Sequence, residues 1–217
     1  MTDFTSARVA MVDCQVRPSD VTRYSIIEAM LEIPRELFVP RALRDVAYAD
    51  ADVALGPGRC VLAPRTLAKM LEATGVGKGD LVLDLAPGLG YSSALLSRLA
   101  AAVVAIEPDE AMARQAARTL EGLELDNTVV ITGDPAAGDP AHGPFDVIFV
   151  NGAVDRVPEA LTDQLKAGGR LVAIFAGGAA SQCRVIVRAG DVLAQRRVFD
   201  AGAPVLEGFT AAAEFEF

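Results

Sequence analysis

The chain has 217 residues, 52% of them apolar, and 29 acidic against 20 basic side chains give a formal charge of −9. That length fits one large domain or a core with an added segment, and the apolar share supplies a full core, which excludes global disorder. Basic residues scattered through an acidic chain repel phosphate backbones and argue against nonspecific nucleic-acid binding; no apolar run approaches a membrane span, and no signal peptide is read at the N-terminus.

Residues 1–75 read as a helical cap packed on a core domain, 76–217. The cap pattern predicts a helix over 20–31, with Ile26, Ile27, Met30 and Leu31 apolar, and a short helical turn over 34–38 limited by Pro40. Gly56-Pro57-Gly58 is a loop, and a further helix covers 64–74. From Gly79 onward apolar strands alternate with amphipathic helices. Strands are expected over 81–85, 103–106, 128–132, 146–150 and 170–175, with helices over 91–102, 109–120 and 158–166. Two last strands, 184–188 and 195–199, flank Ala189-Gly190-Asp191 as an antiparallel hairpin, and the alternating Glu214-Phe215-Glu216-Phe217 reads as a strand end. The fold class is α/β, a mostly parallel sheet with a C-terminal antiparallel hairpin.

Cys14, Cys60 and Cys183 are too few and too widely spaced for a disulfide framework or a metal cluster, so they read as reduced thiols of a cytoplasmic protein. His142, the single histidine, sits in a Pro/Gly loop and is a bystander, so no histidine-centred triad or metal site is expected.

Chemistry concentrates where strands end. Val82-Leu83-Asp84-Leu85 runs into Ala86-Pro87-Gly88-Leu89-Gly90-Tyr91, a turn whose glycines let a ligand approach the backbone. Glu107, roughly twenty residues on at the end of the next strand, suits a ribose diol, because both hydroxyls donate to one carboxylate. Asp134, ending the third strand, is placed to meet an adenine exocyclic amine. A dinucleotide site uses G-x-G-x-x-G to bring amides onto a pyrophosphate, and here Ser93 stands at the third glycine. Asp84 before the turn opposes a pyrophosphate but suits a cationic methionyl group, which favours S-adenosylmethionine over a nicotinamide dinucleotide. A lone Gly-x-Gly is often only a tight turn, and each acid alone is a solvated strand end; three acids at successive strand ends beside the turn carry the ligand reading together.

With these residues in place the chain resembles the protein-L-isoaspartate O-methyltransferases over nearly its whole length. Pro34-Arg35-Glu36-Leu37-Phe38-Val39-Pro40 followed by Ala47-Tyr48-Ala49-Asp50 is similar to that family's PRE-FVP…AY-D signature, and Met11-Val12 with Gln15 to its opening. Pro144-Phe145-Asp146-Val147-Ile148, Val157-Pro158 and Gln164-Leu165-Lys166-Ala167-Gly168-Gly169-Arg170-Leu171-Val172 match further on. The resemblance implies a class I methyltransferase (Rossmann-like) sheet with a helical N-terminal addition. It also implies transfer of a methyl group from S-adenosylmethionine to a carboxylate of isoaspartyl residues in damaged proteins or peptides. The expected cofactor set is Asp84, Ala86, Gly88, Gly90, Tyr91, Glu107 and Asp134, and the expected substrate set is Arg59, Leu62 and Ala63.

Two departures stand out. The family loop is typically G-T-G-S-G, whereas Ala86 adds a methyl, Pro87 removes an amide and Leu89 replaces a hydroxyl. The family's T-x-S-Q-P segment reads Cys60-Val61-Leu62-Ala63-Pro64, so Leu62 stands at the serine proposed as the active-site residue and Ala63 at the glutamine. No catalytic residue is assigned for that reason. Arg59 is the nearby cation able to meet an acidic substrate, although a solvated loop arginine is the plainer reading. Alternatives are a methyltransferase of the same fold with another acceptor, or a non-catalytic protein that binds a ligand or partner. The sequence carries no signal for oligomeric state.

Overall fold

A computed structural model describes residues 3–177 and 180–211, so the 214–217 tail lies outside the described residues. Helix α1 (Phe4–Met11) is capped by Asp3, whose carboxylate accepts from the amides of Thr5 and Ser6. The chain then passes through a wide helical turn, Val12–Val16, into α2 (Tyr24–Glu32). The helix expected over 20–31 starts late because Asp20 is left-handed, at φ 61°, and it ends where Ile33 turns extended ahead of Pro34. Arg35–Phe38 forms a single 3-10 turn.

Strands β1 (Val53–Gly56) and β2 (Arg59–Val61) pair antiparallel around Pro57 and Gly58, where the sequence indicated only a loop. Helix α3 (Pro64–Thr74) begins with proline, which needs no amide partner there, and stops at left-handed Gly75, as the sequence predicts.

The core follows as β3 (Leu81–Leu85), α4 (Tyr91–Leu99), β4 (Ala102–Glu107), α5 (Glu110–Gly122), β5 (Thr128–Thr132) and β6 (Phe145–Val154). It ends with α6 (Glu159–Asp163), β7 (Leu165–Phe175), β8 (Gln182–Ala189) and β9 (Val192–Asp200). Helix α6 is shorter than the 158–166 expected, because Leu165 already pairs with Phe145 across the sheet. Among the described residues the main sheet has seven strands in the order β5-β4-β3-β6-β7-β8-β9. Strands β3 to β7 run parallel, and β8 and β9 return antiparallel. This is the mostly parallel sheet with a C-terminal hairpin that the periodicity predicts.

One face of the sheet, through Val82, Val103, Val147, Phe149 and Val172, packs against α4 and the N-terminal elements in a single continuous core. The other face, through Leu83, Ile106, Ile148, Val150 and Leu171, packs against Leu161, Leu206 and Phe209. Because both faces are covered, β3 and β4 are apolar apart from Asp84 and Glu107 near their carboxyl ends. The order reverses between β3 and β6: β4 and β5 lie to one side of β3, β6 and β7 to the other. A crevice opens outside the carboxyl ends of the strands at such a point.

Ala86, the first residue after β3, adopts φ 54° while its amide donates to the Ile106 carbonyl at 2.8 Å. An L-residue there costs about 1–2 kcal/mol, partly offset by the extra chain entropy a glycine would lose on folding, roughly 0.5–1 kcal/mol. Ala86→Gly is therefore expected to raise stability by up to about 1 kcal/mol, read as a higher urea midpoint at unchanged slope. A lower midpoint would show that the buried methyl matters more than the backbone strain.

Candidate functional site

The carboxyl ends of the strands open onto a cleft of about 1020 Å³. Its floor is Ala86 after β3, Pro108, Asp109 and Met112 after β4, and Gly133, Asp134 and Pro135 after β5. The hairpin turn, Gly56 to Arg59, forms one wall and Val205 to Gly208 with Thr210 the other. That second wall is pinned to β6, where the Ala153 amide donates to Pro204 and the Leu206 amide to the Ala153 carbonyl, both at 2.9 Å. Gly152 permits this approach, since a Cβ there would lie 2.6 Å from Leu206. This wall is not legible in the sequence, because nothing local marks 205–210 as a partner for β6.

Asp84 does not line the cleft. It is fully buried, and its Oδ2 accepts from Ser92 Oγ at 2.7 Å and Ser93 Oγ at 2.6 Å, while Oδ1 accepts from Asn151 Nδ2 at 2.6 Å. Asn151 Nδ2 also donates to the Leu85 carbonyl at 3.0 Å. The carboxylate expected to face a ligand is thus spent on tying β3 to the first turn of α4 and to β6. Burial pushes its pKa from 3.8 up to about 6, despite the opposing hydrogen bonds from Ser93, Ser92 and Asn151.

Glu107 ends β4, is wholly buried, and is saturated with donors. Arg59 Nη1 meets Oε1 at 2.9 Å and Nη2 meets Oε2 at 2.6 Å, a two-pronged pair. The Gly88 amide donates to Oε2 at 2.7 Å and the Asp109 amide to Oε1 at 3.1 Å. Arg59 Nη2 also reaches the Ala86 carbonyl at 3.1 Å. Arg59 is therefore neither a solvated loop residue nor aimed at an incoming acid: it is clamped onto the carboxylate expected to take a ribose. Gly88, at φ 63°, lies so close under the hairpin that a Cβ would sit 2.3 Å from Leu55 Cδ1.

The remaining expected residues separate into two groups. Asp134 is exposed in the cleft, with Oδ1 accepting from the Ala136 amide at 2.9 Å. Gly90 starts α4 at φ 94°, where a Cβ would crowd Ala116 at 3.1 Å, so it serves helix packing rather than the cleft. Tyr91, Leu62 and Ala63 turn inward instead. The Tyr91 ring lies under the Arg35 guanidinium at 4.8 Å and beside Phe38 at 5.6 Å. Leu62 is 2% exposed, and its carbonyl accepts from Arg35 Nη2 at 2.8 Å. Ala63 is also buried, its amide donating to Asp52 Oδ1 at 2.6 Å. None of the three contributes to the cleft lining.

The N-terminal signature owes its spacing to Arg35 and its partners. Arg35 is fully buried, donating Nε to the Ala47 carbonyl at 2.6 Å as well as Nη2 to Leu62. Glu36 accepts from the Tyr48 hydroxyl and pairs with Arg8 at 3.6 Å, and Asp50 pairs with Arg65 at 3.1 Å.

The switch-point cleft, the glycine turn after the first core strand and acids at strand ends define a class I methyltransferase-type fold. A family model described as "Protein-L-isoaspartate(D-aspartate) O-methyltransferase (PCMT)" matches residues 8–199. The Roseiflexus castenholzii protein-L-isoaspartate O-methyltransferase is 39% identical over 198 residues, covering 91% of this chain and 90% of its own length. The Pelotomaculum thermopropionicum relative of the same description is 39% identical over 184 residues, covering 85% and 80%. A solved protein-L-isoaspartate O-methyltransferase superposes with a TM-score of 0.80 at 27% identity, covering 93% of this chain and 66% of that one. A putative Plasmodium falciparum protein of that description, crystallised with S-adenosyl-L-homocysteine, has a TM-score of 0.78 at 18% identity over 95% of this chain and 99% of its own, a likeness of fold alone. The chain belongs to the protein-L-isoaspartate O-methyltransferase family.

Asp84 yields a pH signature. Its folded pKa lies above its unfolded value, so between about pH 4 and 6 the folded state holds the proton that the unfolded state has released. Its contribution to stability is therefore greatest at low pH and falls as pH rises through that window. Asp84→Asn should gain on the parent by up to about 3 kcal/mol in unfolding free energy from pH 4 to pH 7, measured by urea titration. A pH-independent difference would mean that the carboxyl titrates alike in both states.

Proposed function

We propose that the chain is an S-adenosylmethionine-dependent carboxyl methyltransferase acting on isoaspartyl residues of damaged proteins and peptides in the cytoplasm. Among the described residues, no helix is long and apolar enough to cross a membrane. The observation that carries the reading is family membership across residues 8–199, joined to a cleft at the sheet's switch point with carboxylates at the ends of β4 and β5.

The residues present fit the donor in kind. Asp134 is exposed in the cleft with acceptor capacity for an adenine amine, and Pro108 and Met112 offer apolar surface for the base beside it. Glu107 offers both carboxylate oxygens to a ribose diol once its internal partner is displaced. The bound donor supplies an electrophilic methyl group on a sulfonium, with a neutral thioether as leaving group.

Little acid–base machinery is needed from the protein. An acceptor carboxylate is already ionised at neutral pH, so no proton must be removed for it to attack. What remains is positioning of the two reactants in line and exclusion of competing water. With Leu62 and Ala63 buried and apolar, a serine or glutamine side chain cannot orient the acceptor from those positions. Acceptor recognition falls instead to the rim, where the Gly56-Pro57-Gly58 turn faces the Val205–Gly208 wall.

The test is incubation with S-adenosylmethionine and an isoaspartyl peptide at neutral pH. The expected outcome is base-labile methyl ester on that peptide and none on its aspartyl counterpart. Asp134→Ala should lower kcat/KM for the donor about tenfold while leaving the thermal midpoint within a degree or two, since its side chain is exposed. No ester at saturating donor and peptide would sink the reading.

A further inference from the structure

We propose that Arg59 is an internal competitor at the donor site: its guanidinium occupies Glu107 in the manner of a ribose diol, and an adenosyl ligand binds by displacing it. This rests on the donor reading above and concerns how the site admits that ligand.

Three observations converge. The pair is two-pronged, with Nη1 donating to Oε1 at 2.9 Å and Nη2 to Oε2 at 2.6 Å, one donor to each carboxylate oxygen, as the two hydroxyls of a vicinal diol would supply. It is also sheltered, with side-chain exposures of 14% for Arg59 and none for Glu107, so solvent does little to weaken it. Finally, the arginine does not act alone. Leu55 covers Gly88, and Arg59 Nη2 holds the Ala86 carbonyl, so the β1–β2 hairpin lies along the glycine turn where a ligand's backbone contacts would form.

The two backbone amides on Glu107, from Gly88 and Asp109, belong to the core and stay in place when the hairpin lifts. The exchange therefore trades only the guanidinium for the diol. Gly56 and Gly58, at φ 154° and 66° with open space around both, flank the turn and give it the backbone freedom to move. The acid stays hydrogen-bonded in either arrangement, so the site carries no unpaired carboxylate whichever partner is bound. Affinity for the ligand is then reduced by the strength of the internal pair, because only the fraction of molecules with Arg59 displaced is competent to bind.

The experiment is calorimetric titration of the full-length protein with S-adenosylhomocysteine, comparing the parent with Arg59→Met, Arg59→Lys, Glu107→Gln and the Arg59→Met/Glu107→Gln double variant. Arg59→Met keeps an unbranched side chain of similar reach and removes the charge, and the thermal midpoint checks that the fold is retained. The proposal expects Arg59→Met to bind at least tenfold tighter than the parent and Arg59→Lys to fall between them. It further expects the gain to vanish in the Glu107→Gln background, since a gain from general loosening of the hairpin would persist there. Equal or weaker binding by folded Arg59→Met, with the parent binding normally, would overturn the proposal and leave the donor reading standing. Binding by none of the folded variants would overturn the donor reading, and the proposal with it.

Discussion

A single buried carboxylate holds the sheet's switch point together. Asp84 sits at the end of the central strand, and its three side-chain donors come from α4 and β6, the elements on either side of the crevice. Desolvating that charge is costly, and hydrogen bonds from hydroxyls and an amide, rather than a cation, offset only part of the cost, which is why its pKa rises. The arrangement fixes where α4 begins, hence the path of the turn from Ala86 to Gly90, and so the position of the Gly88 amide on Glu107. The geometry of the cleft floor is inherited from a group that never touches it.

A second polar clamp plays the same part for the N-terminal layer. Arg35 reaches two carbonyls, at Ala47 and Leu62, and stacks on Tyr91 at the start of α4. A lone buried guanidinium would be prohibitive, but here Nε and Nη2 donate to fixed carbonyls and the plane lies over an aromatic face, with Nη1 left without a hydrogen-bond partner. Burial lowers its pKa, opposed chiefly by Tyr91. Because Tyr91 follows the glycine turn directly, the clamp carries the position of the β1–β2 hairpin into the core. The residues that make the N-terminal signature recognisable are thus the joints of the scaffold.

What the sequence revealed depends on how local each cause is. Strand 81–85 and strand 128–132 were legible to the residue, the first because a strand covered on both faces is apolar along its length, here interrupted only by Asp84. Helix 64–74 was legible because proline and glycine punctuate it. Other features depend on partners far along the chain. Nothing near Arg59 announces that its guanidinium will meet Glu107, nor near Ser92 and Ser93 that their hydroxyls will satisfy Asp84. The cleft acids could be named from their places at strand ends, but which of them faces outward is decided by side chains elsewhere. Asp134 is exposed, whereas Asp84 is spent internally and Glu107 is shielded.

The walls of the cleft come from opposite ends of the chain, Gly56 to Arg59 on one side and Val205 to Thr210 on the other. During synthesis the hairpin and the glycine turn emerge long before the second wall is made, and that wall docks only on the completed β6. The cleft is therefore complete only once a segment far down the chain has docked on β6, which couples the shape of the ligand site to the packing of residues 204–209 against that strand.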